Sequence, residues 1–398
     1  MAVVLLPDEV GAYLGFGPPP AVGGGRLSSA EYLRRHCAAY QSSYGPLIDG
    51  YLSQFKDGFT VAQLLTLPSM YNGTRMQREF SGGMPLMYVI DGELRMDASL
   101  PDPGNKRLKN LEYFGMPVLE QLIRRARLPD LALLYSPFDE PTEFPGVDPA
   151  PWFGYCTVPQ QQRTLMLPDT LAPADLQCPG AGDGCRPGAA DAREPRAVFL
   201  GSPTGWHKGK RKAVLLAGMQ HPEQVHSGLT EDPDKLLSQT ERETFPHAQF
   251  MELTEQVSRF KYVVNVEGNC AALRLRRLLA SPSAVMFVQS DEIEWYYPLL
   301  KPYVHYIPVR FWASGGAEGF SVDLAEKVRW AEAHPERVAA IVREANEFAR
   351  FYLSRHGAEC FAMQMLDAYA RLLRDPWNVR RVRHRTRPYP GLQPELTL

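Results

Sequence analysis

A chain of 398 residues is long enough for two ordinary domains, because single cores stop growing near ~250–300 residues. Hydrophobic residues make up 44% of it and charged residues 22%, a globular balance that excludes global disorder. The formal net charge of −2 excludes a dedicated nucleic-acid binder, which needs a basic excess to neutralise phosphates.

Residues 1–28 are rich in Pro and Gly and read as an irregular arm. The opening MAVVLLPDEVG has no basic segment and too short an apolar run for a secretory leader. No stretch reaches the ~20 apolar residues of a membrane helix, so no integral membrane segment is expected and the compartment stays open. Ser28 or Ser29 can cap a helix running through Tyr40. Asp91-Gly92, between two apolar runs at 86–90 and 93–96, is a two-residue hairpin turn. Leu108, Leu111, Val118, Leu119, Leu122 and Ile123 recur at helical spacing and end in basic residues 124–127. A short strand over 131–135 then leads to a loop holding Asp139.

Residues 171–195 are nearly free of large apolar groups and form a linker or inserted loop. They separate a first domain, 29–170, from a second, 196–320. In the second, strands are expected at 197–200, 262–266, 284–288 and 304–309, with a helix at 271–280. Strands and helices alternating at this spacing indicate a parallel α/β sheet. Helices are expected over 321–376, with Pro335 at a first helical position, and a frayed basic tail over 377–398.

Six cysteines (Cys37, Cys156, Cys178, Cys185, Cys270, Cys360) show no repeated spacing and read as unpaired or buried thiols. Cys178 and Cys185 are the near neighbours that could close a local bridge. No Cys/His set has zinc spacing, and His207, His221, His226 and His247 read as surface residues, so no metal site is expected. Asp232-Pro233-Asp234 reads as an exposed loop, and Asn72-Gly73-Thr74 is a glycosylation sequon.

Two segments can carry chemistry. Residues 261–280, KYVVNVEGNCAALRLRRLLA, read as strand, Gly turn and helix, a joint that aims backbone N–H groups at an anion. Arg274, one turn in, can reach the same anion, while Arg276 and Arg277 read as solvated or paired on the outer face. Residues 198–212, VFLGSPTGWHKGKRK, place Gly201, Ser202 and Thr204 after a strand, followed by a basic run that also reads as solvated. This is not a Walker A loop. Asp139, just past a strand end, is ionised at neutral pH and can act as a base, though it also suits a turn.

The runs NVEGNCAALRLRRLLASPSAVMF and EWYYPLLKPYVHYIPV strongly resemble glycosyltransferase family 90, which groups protein O-glucosyltransferases and capsule-associated xylosyltransferases. Weaker similarity extends over most of 107–375. The resemblance implies a GT-B-like α/β fold: two Rossmann-like domains facing a cleft, with C-terminal helices crossing back. It implies an inverting, metal-independent transfer of glucose or xylose from UDP-glucose or UDP-xylose to a protein or polysaccharide hydroxyl, with no cofactor. Asp139 falls on the family's catalytic base. Gly201, Ser202, Thr204, Arg274 and the backbone of Asn269, Cys270, Ala271, Ala272 and Leu273 fall on the donor diphosphate site. Glu294 is then the ribose partner, while His305 and Tyr306 read as structural. Where the family has Arg before Gly-Ser, this chain has Leu200, so Lys208 and Lys210 are the expected compensating cations. That departure sustains a second reading, a member that binds a sugar nucleotide or glycan without transferring it.

Overall fold

The structure is a computed structural model that describes residues 26–70, 86–98, 116–136, 150–158, 163–169, 192–231, 236–313 and 319–389. Helix α1 (Ser29–His36) starts at a capping box, in which Ser28 Oγ accepts from the Glu31 amide and Glu31 accepts from the Ser28 amide. It stops short of Tyr40, because Cys37 caps it and a tighter turn over Ala38–Tyr40 leads into α2 (Gln41–Leu52) and then α3 (Val61–Met70). Strands β1 (Leu86–Ile90) and β2 (Glu93–Asp97) form the expected hairpin. Asp91 and Gly92 take φ of 53° and 75°, the backbone that lets a two-residue turn match strand twist. Helix α4 (Met116–Arg125) and the buried strand β3 (Leu131–Leu134) follow, and β3 pairs antiparallel with β1. Short strands β4 (Trp152–Gly154), β5 (Cys156–Thr157) and β6 (Thr164–Met166) complete this half.

The second half runs β7 (Glu194–Gly201), α5 (Lys210–Gln220), β8 (Val225–Leu229), α6 (Gln239–Thr244), α7 (Leu253–Arg259) and β9 (Phe260–Asn265). It continues with α8 (Leu275–Leu279), β10 (Ala284–Val288), β11 (Ile293–Glu294), β12 (Ile307–Val309), β13 (Phe311–Ala313) and β14 (Phe320–Val322). Five strands pair in parallel in the order β12-β10-β9-β7-β8, the Rossmann-like sheet expected of this half. Strand alternation splits its side chains between two cores. Ala197, Phe199, Tyr262, Val264 and Met286 face α5, α9 (Leu324–Ala333) and α10 (Pro335–Tyr352), with Pro335 at the first position as expected. Val198, Leu200, Val263 and Val285 face a core shared with the first half, alongside Phe153 and Tyr135.

The first half departs from a fully parallel plan. Its four-stranded sheet, β15 (Thr386–Pro388)-β2-β1-β3, is antiparallel, and among the described residues parallel pairing enters through β4–β6 and single bridges at Tyr135–Phe153, Ser28–Arg127 and Phe59–Leu373. The two-residue turn at Asp91-Gly92 fixes the β1–β2 pair as antiparallel, since parallel neighbours need a long crossover. Strand β15 is Thr386–Pro388, inside the stretch expected to fray. It follows α12 (Trp377–Arg381), and Arg380 and Arg383 bind Asp130 and Asp91 of the first half. Arg380 and Arg383 are thus counterions to an acidic hairpin edge.

Helix α11 (Arg355–Leu372) crosses back to the first half as the resemblance implies. Tyr369 Oη donates to Ala132 O at 2.7 Å and Ser29 Oγ to Asp367 at 2.6 Å. The reading of unpaired thiols is corrected. Cys37 bonds Cys360, joining the end of α1 to α11, and Cys156 bonds Cys270. Chain topology brings these partners together from 323 and 114 residues apart, a pairing that spacing alone cannot reveal. Cys178, Cys185, the Asp232-Pro233-Asp234 loop (beyond residue 231) and the Asn72 sequon lie outside the described residues.

Replacing Cys37 and Cys360 together by Ser should lower the unfolding free energy by about 2–5 kcal/mol, because the bridge closes a very long loop in the unfolded chain. Urea denaturation with and without a reductant reads this directly. An unchanged midpoint would mean that α11 docks without covalent help.

Candidate functional site

In the parallel sheet the chain leaves β7 toward β8 on one side and toward β9 on the other. Such a switch point opens a crevice at the carboxyl ends of the strands, between β7 and β9. The two predicted segments meet there. The loop after β7 and the turn after β9 touch backbone to backbone: a Cβ on Gly205 would lie 2.2 Å from Gly268 O. Gly205 also has φ of 69°, so glycine is required twice over. The Gly205 amide donates to Asn269 Oδ1 at 2.8 Å, and Thr204 Oγ1 would be 2.7 Å from a Cβ on Gly268.

The basic run after this loop is not a solvated face. Lys208 Nζ donates to Asn269 O and Glu292, both at 2.5 Å, and Lys210 Nζ donates to Glu292 at 2.6 Å and Ser290 at 3.2 Å. Burial of Glu292 acts to raise its pKa, but hydrogen bonds from Lys208, Lys210 and Ser290 outweigh it and hold the carboxyl at about 2. The two lysines are therefore braces between the loops after β7 and β10, already paired with an acid. The cation at the Gly201–Thr204 loop is a residue that sequence reasoning passed over. Arg211, the second residue of α5, is buried and donates from Nη1 to Ser202 O at 2.6 Å and to Thr204 Oγ1 at 2.5 Å. Its position in the first turn of the helix, two residues past Gly209, was the available signal.

Arg274 arrives from the other side. Its Nη1 donates to Leu200 O at 3.4 Å, and its Nη2 lies 3.0 Å from where a Cβ on Gly201 would stand. Both guanidinium groups lie over the Phe199 ring, at 5.8 Å for Arg211 and 5.1 Å for Arg274. Leu200, one residue on, points the opposite way into the shared core, where it is buried.

The turn itself differs from the expected helix start at Ala271. Helix α8 begins at Leu275 with Arg274 as its N-cap. The amide of Ala272 bonds the Glu267 carboxylate, so it is engaged within the protein. Cys270 is tied to Cys156 of β5, and Ala271 and Leu273 pack against the shared core. Arg276 is not on an outer face: it lies 3.7 Å from Asp169 of the first half, both mostly buried. Arg277 is exposed.

Glu294 sits on β11, which pairs with β5 of the first half. It is buried, and among the described residues neither carboxylate oxygen has a partner within hydrogen-bond geometry. Burial, then the charges of Asp169 and Glu267, push its pKa well above the ordinary value. It therefore stands where the two halves pair, through β11 and β5. His305 accepts from the Lys301 amide and packs on Phe348, and Tyr306 packs on Phe287. Asp139 lies outside the described residues; Tyr135 and Ser136, at the end of β3, are the nearest described residues before it. Among the described residues, no group of three or more His, Cys, Asp or Glu is placed to hold a metal.

Two outcomes follow from this geometry. Gly205→Ala should lower stability by about 2 kcal/mol or more, from a left-handed backbone and a Cβ overlapping Gly268 O; an unchanged melting temperature would rule out the contact. The second concerns Glu267, whose burial lifts its carboxyl to about 7, against hydrogen bonds from Tyr297 and Ala272. A carboxyl that holds its proton more tightly folded than unfolded favours folding when protonated, so its contribution is lost as pH rises from about 4.5 to about 7. Between pH 4.5 and 8 the wild type should lose about 3 kcal/mol relative to Glu267→Gln, read from paired denaturation curves. Parallel curves would show that Glu267 does not titrate in this window.

The sequence model described as "Glycosyl transferase family 90" matches residues 105–387. Human "Protein O-glucosyltransferase 3" is 26% identical over 273 residues, covering 66% of this chain and 51% of that protein. "Protein O-glucosyltransferase 2" of Danio rerio is 38% identical over 114 residues, 29% of this chain and 21% of its own. The "O-glucosyltransferase rumi homolog" of Anopheles gambiae is 27% identical over 185 residues, 46% of this chain and 43% of its own. The chain thus spans about half or less of the length of these relatives. Among solved structures, a sucrose-phosphate synthase from Thermosynechococcus elongatus aligns with TM-score 0.35 at 16% identity, covering 55% of this chain and 58% of that one. With the matched model covering well over half of the residues, the chain belongs to glycosyl transferase family 90.

Proposed function

We propose that this chain transfers a sugar, glucose or xylose, from a UDP-sugar to a hydroxyl of a protein or polysaccharide acceptor, with inversion and without a metal. The observation that carries the reading is the pair of guanidinium groups, Arg211 and Arg274, converging on the Gly201–Thr204 loop at the switch point between β7 and β9. Two fixed cations beside small residues and hydroxyls suit a diphosphate, and they supply charge where the departing UDP becomes more negative. That is the task a metal would otherwise perform.

Asp139 is the general base in this scheme: it takes the proton from the acceptor hydroxyl as that oxygen attacks the anomeric carbon in line with the UDP bond. Its assignment rests on the family resemblance and its place just past β3. The relatives' printed names support glucose as the first donor to try, and a protein as the first acceptor. A second reading, a member that binds without transferring, draws on Leu200 in place of the family's Arg. The burial of Arg211 under the same loop weighs against it, since the positive charge is supplied from α5 instead.

The test is UDP release from UDP-glucose, UDP-xylose and UDP-galactose, with and without EDTA. Turnover that survives EDTA and falls by about a hundredfold or more in Asp139→Asn is expected, the scale of a lost general base. Arg274→Ala should weaken UDP binding as well. UDP binding with no turnover for any donor would favour the second reading, and no UDP binding would remove the transfer reading and leave only glycan binding of the second.

A further inference from the structure

Glu267 lies two residues past the end of β9 and is 2% exposed, yet the transfer chemistry above does not employ it. Both of its carboxylate oxygens are occupied. Oε1 accepts from Asn265 Nδ2 at 3.1 Å and from Tyr297 Oη at 2.9 Å, and Oε2 accepts from the Ala272 amide. The last bond reaches across the turn that begins at Gly268, closing it into a ring whose far limb continues into Arg274. Within the ring the Gly268 amide donates to Cys270 O at 3.0 Å. On the near limb, the main-chain carbonyl of Glu267 accepts from Arg211 Nε at 3.3 Å. One residue thus touches, by side chain and by main chain, the segments that carry both cations of the site.

A carboxylate is a costly choice for this place. Burial penalises its charged form, and a negative charge near a diphosphate would oppose the ligand. Both costs are accounted for if the hydrogen bonds, and not the charge, are what the position supplies. The burial that raises the carboxyl toward neutrality also lessens the repulsion.

We propose that Glu267 is a positioning residue for the donor: its carboxyl group holds the 268–274 turn in the shape that presents Arg274 and the turn backbone to the diphosphate. The proposal rests on the donor reading above. Without this tie the turn would have to be ordered by the ligand, and that cost would appear as lost affinity.

The experiment is calorimetric titration of the full chain with UDP, alongside melting temperatures. Glu267→Ala should weaken UDP binding by about tenfold or more, as expected for a lost set of buried hydrogen bonds. Glu267→Gln keeps an acceptor for the Ala272 amide and removes the charge, so its dissociation constant should stay within about threefold of wild type. A Gln variant as weak as the Ala variant, or an Ala variant that binds like wild type, would overturn the proposal. Should the Ala variant fail to fold, Tyr297→Phe deletes one of the three bonds and should weaken UDP binding by a few-fold; unchanged affinity there overturns it equally. Wild type that binds no UDP removes the donor reading and this proposal with it. If Arg274→Ala loses UDP while Glu267→Ala keeps it, this proposal alone fails.

Discussion

The contact between Gly205 and Gly268 leaves no room for a side chain on the loop after β7, and the rest of the site is arranged around that closeness. Two loops from neighbouring parallel strands can approach this closely only where the chain switches direction across the sheet. Once they do, Asn269 can reach the Gly205 amide, Lys208 can reach Asn269 O, and Arg211 can lie under Ser202 and Thr204 while touching the Glu267 carbonyl. The bonds from the Gly205 amide, Lys208 and the Arg211 Nε cross between the two loops and depend on that closeness. The site is therefore assembled from backbone geometry first and cationic side chains second.

The first half of the chain is bound into the same assembly. Strand β5 pairs with β11, Cys156 is bonded to Cys270 of the turn, and Arg276 faces Asp169. Helix α11 and strand β15 return to the first half from the C-terminal end, so both ends of the described chain lie there. The turn that holds Arg274 is consequently gripped from two directions. Glu267 holds it from the segment just after β9, and the disulfide holds it from the other half.

What the amino-acid order made legible was local or periodic. Asp91-Gly92 specifies its hairpin because few residues tolerate two successive positive φ angles, and 284–288 reads as a strand because five apolar residues can be buried on both faces. The meeting of the Gly201–Thr204 loop with Arg274 was also legible, but only by way of the family resemblance, which ties together segments that spacing cannot. Pairings across long separations were not legible. The partners of Cys37 and Cys156, and the acids that receive Lys208, Lys210 and Arg276, depend on topology that no local pattern encodes. The stretch from residue 377, expected to fray, is ordered through 389 for the same reason: Arg380 and Arg383 find Asp130 and Asp91 of the first half.

Leu200 illustrates how a residue of the wrong chemistry at an expected position can be consistent with the function of the site. Strand alternation sends residue 200 toward the core shared by the two halves, and there a leucine gains by burial what a guanidinium would lose. Residue 199, pointing the other way, is a phenylalanine whose ring carries both Arg211 and Arg274. A helix starting at Lys210 places its second residue back over the loop, so a cation delivered from α5 reaches the oxygens of Ser202 and Thr204 without crossing the sheet. The positive charge at this loop comes from the helix behind the strand, on the Phe199 side of the sheet. On that account the identity of residue 200 bears on how the halves pack, and Arg211 bears on what the loop can bind.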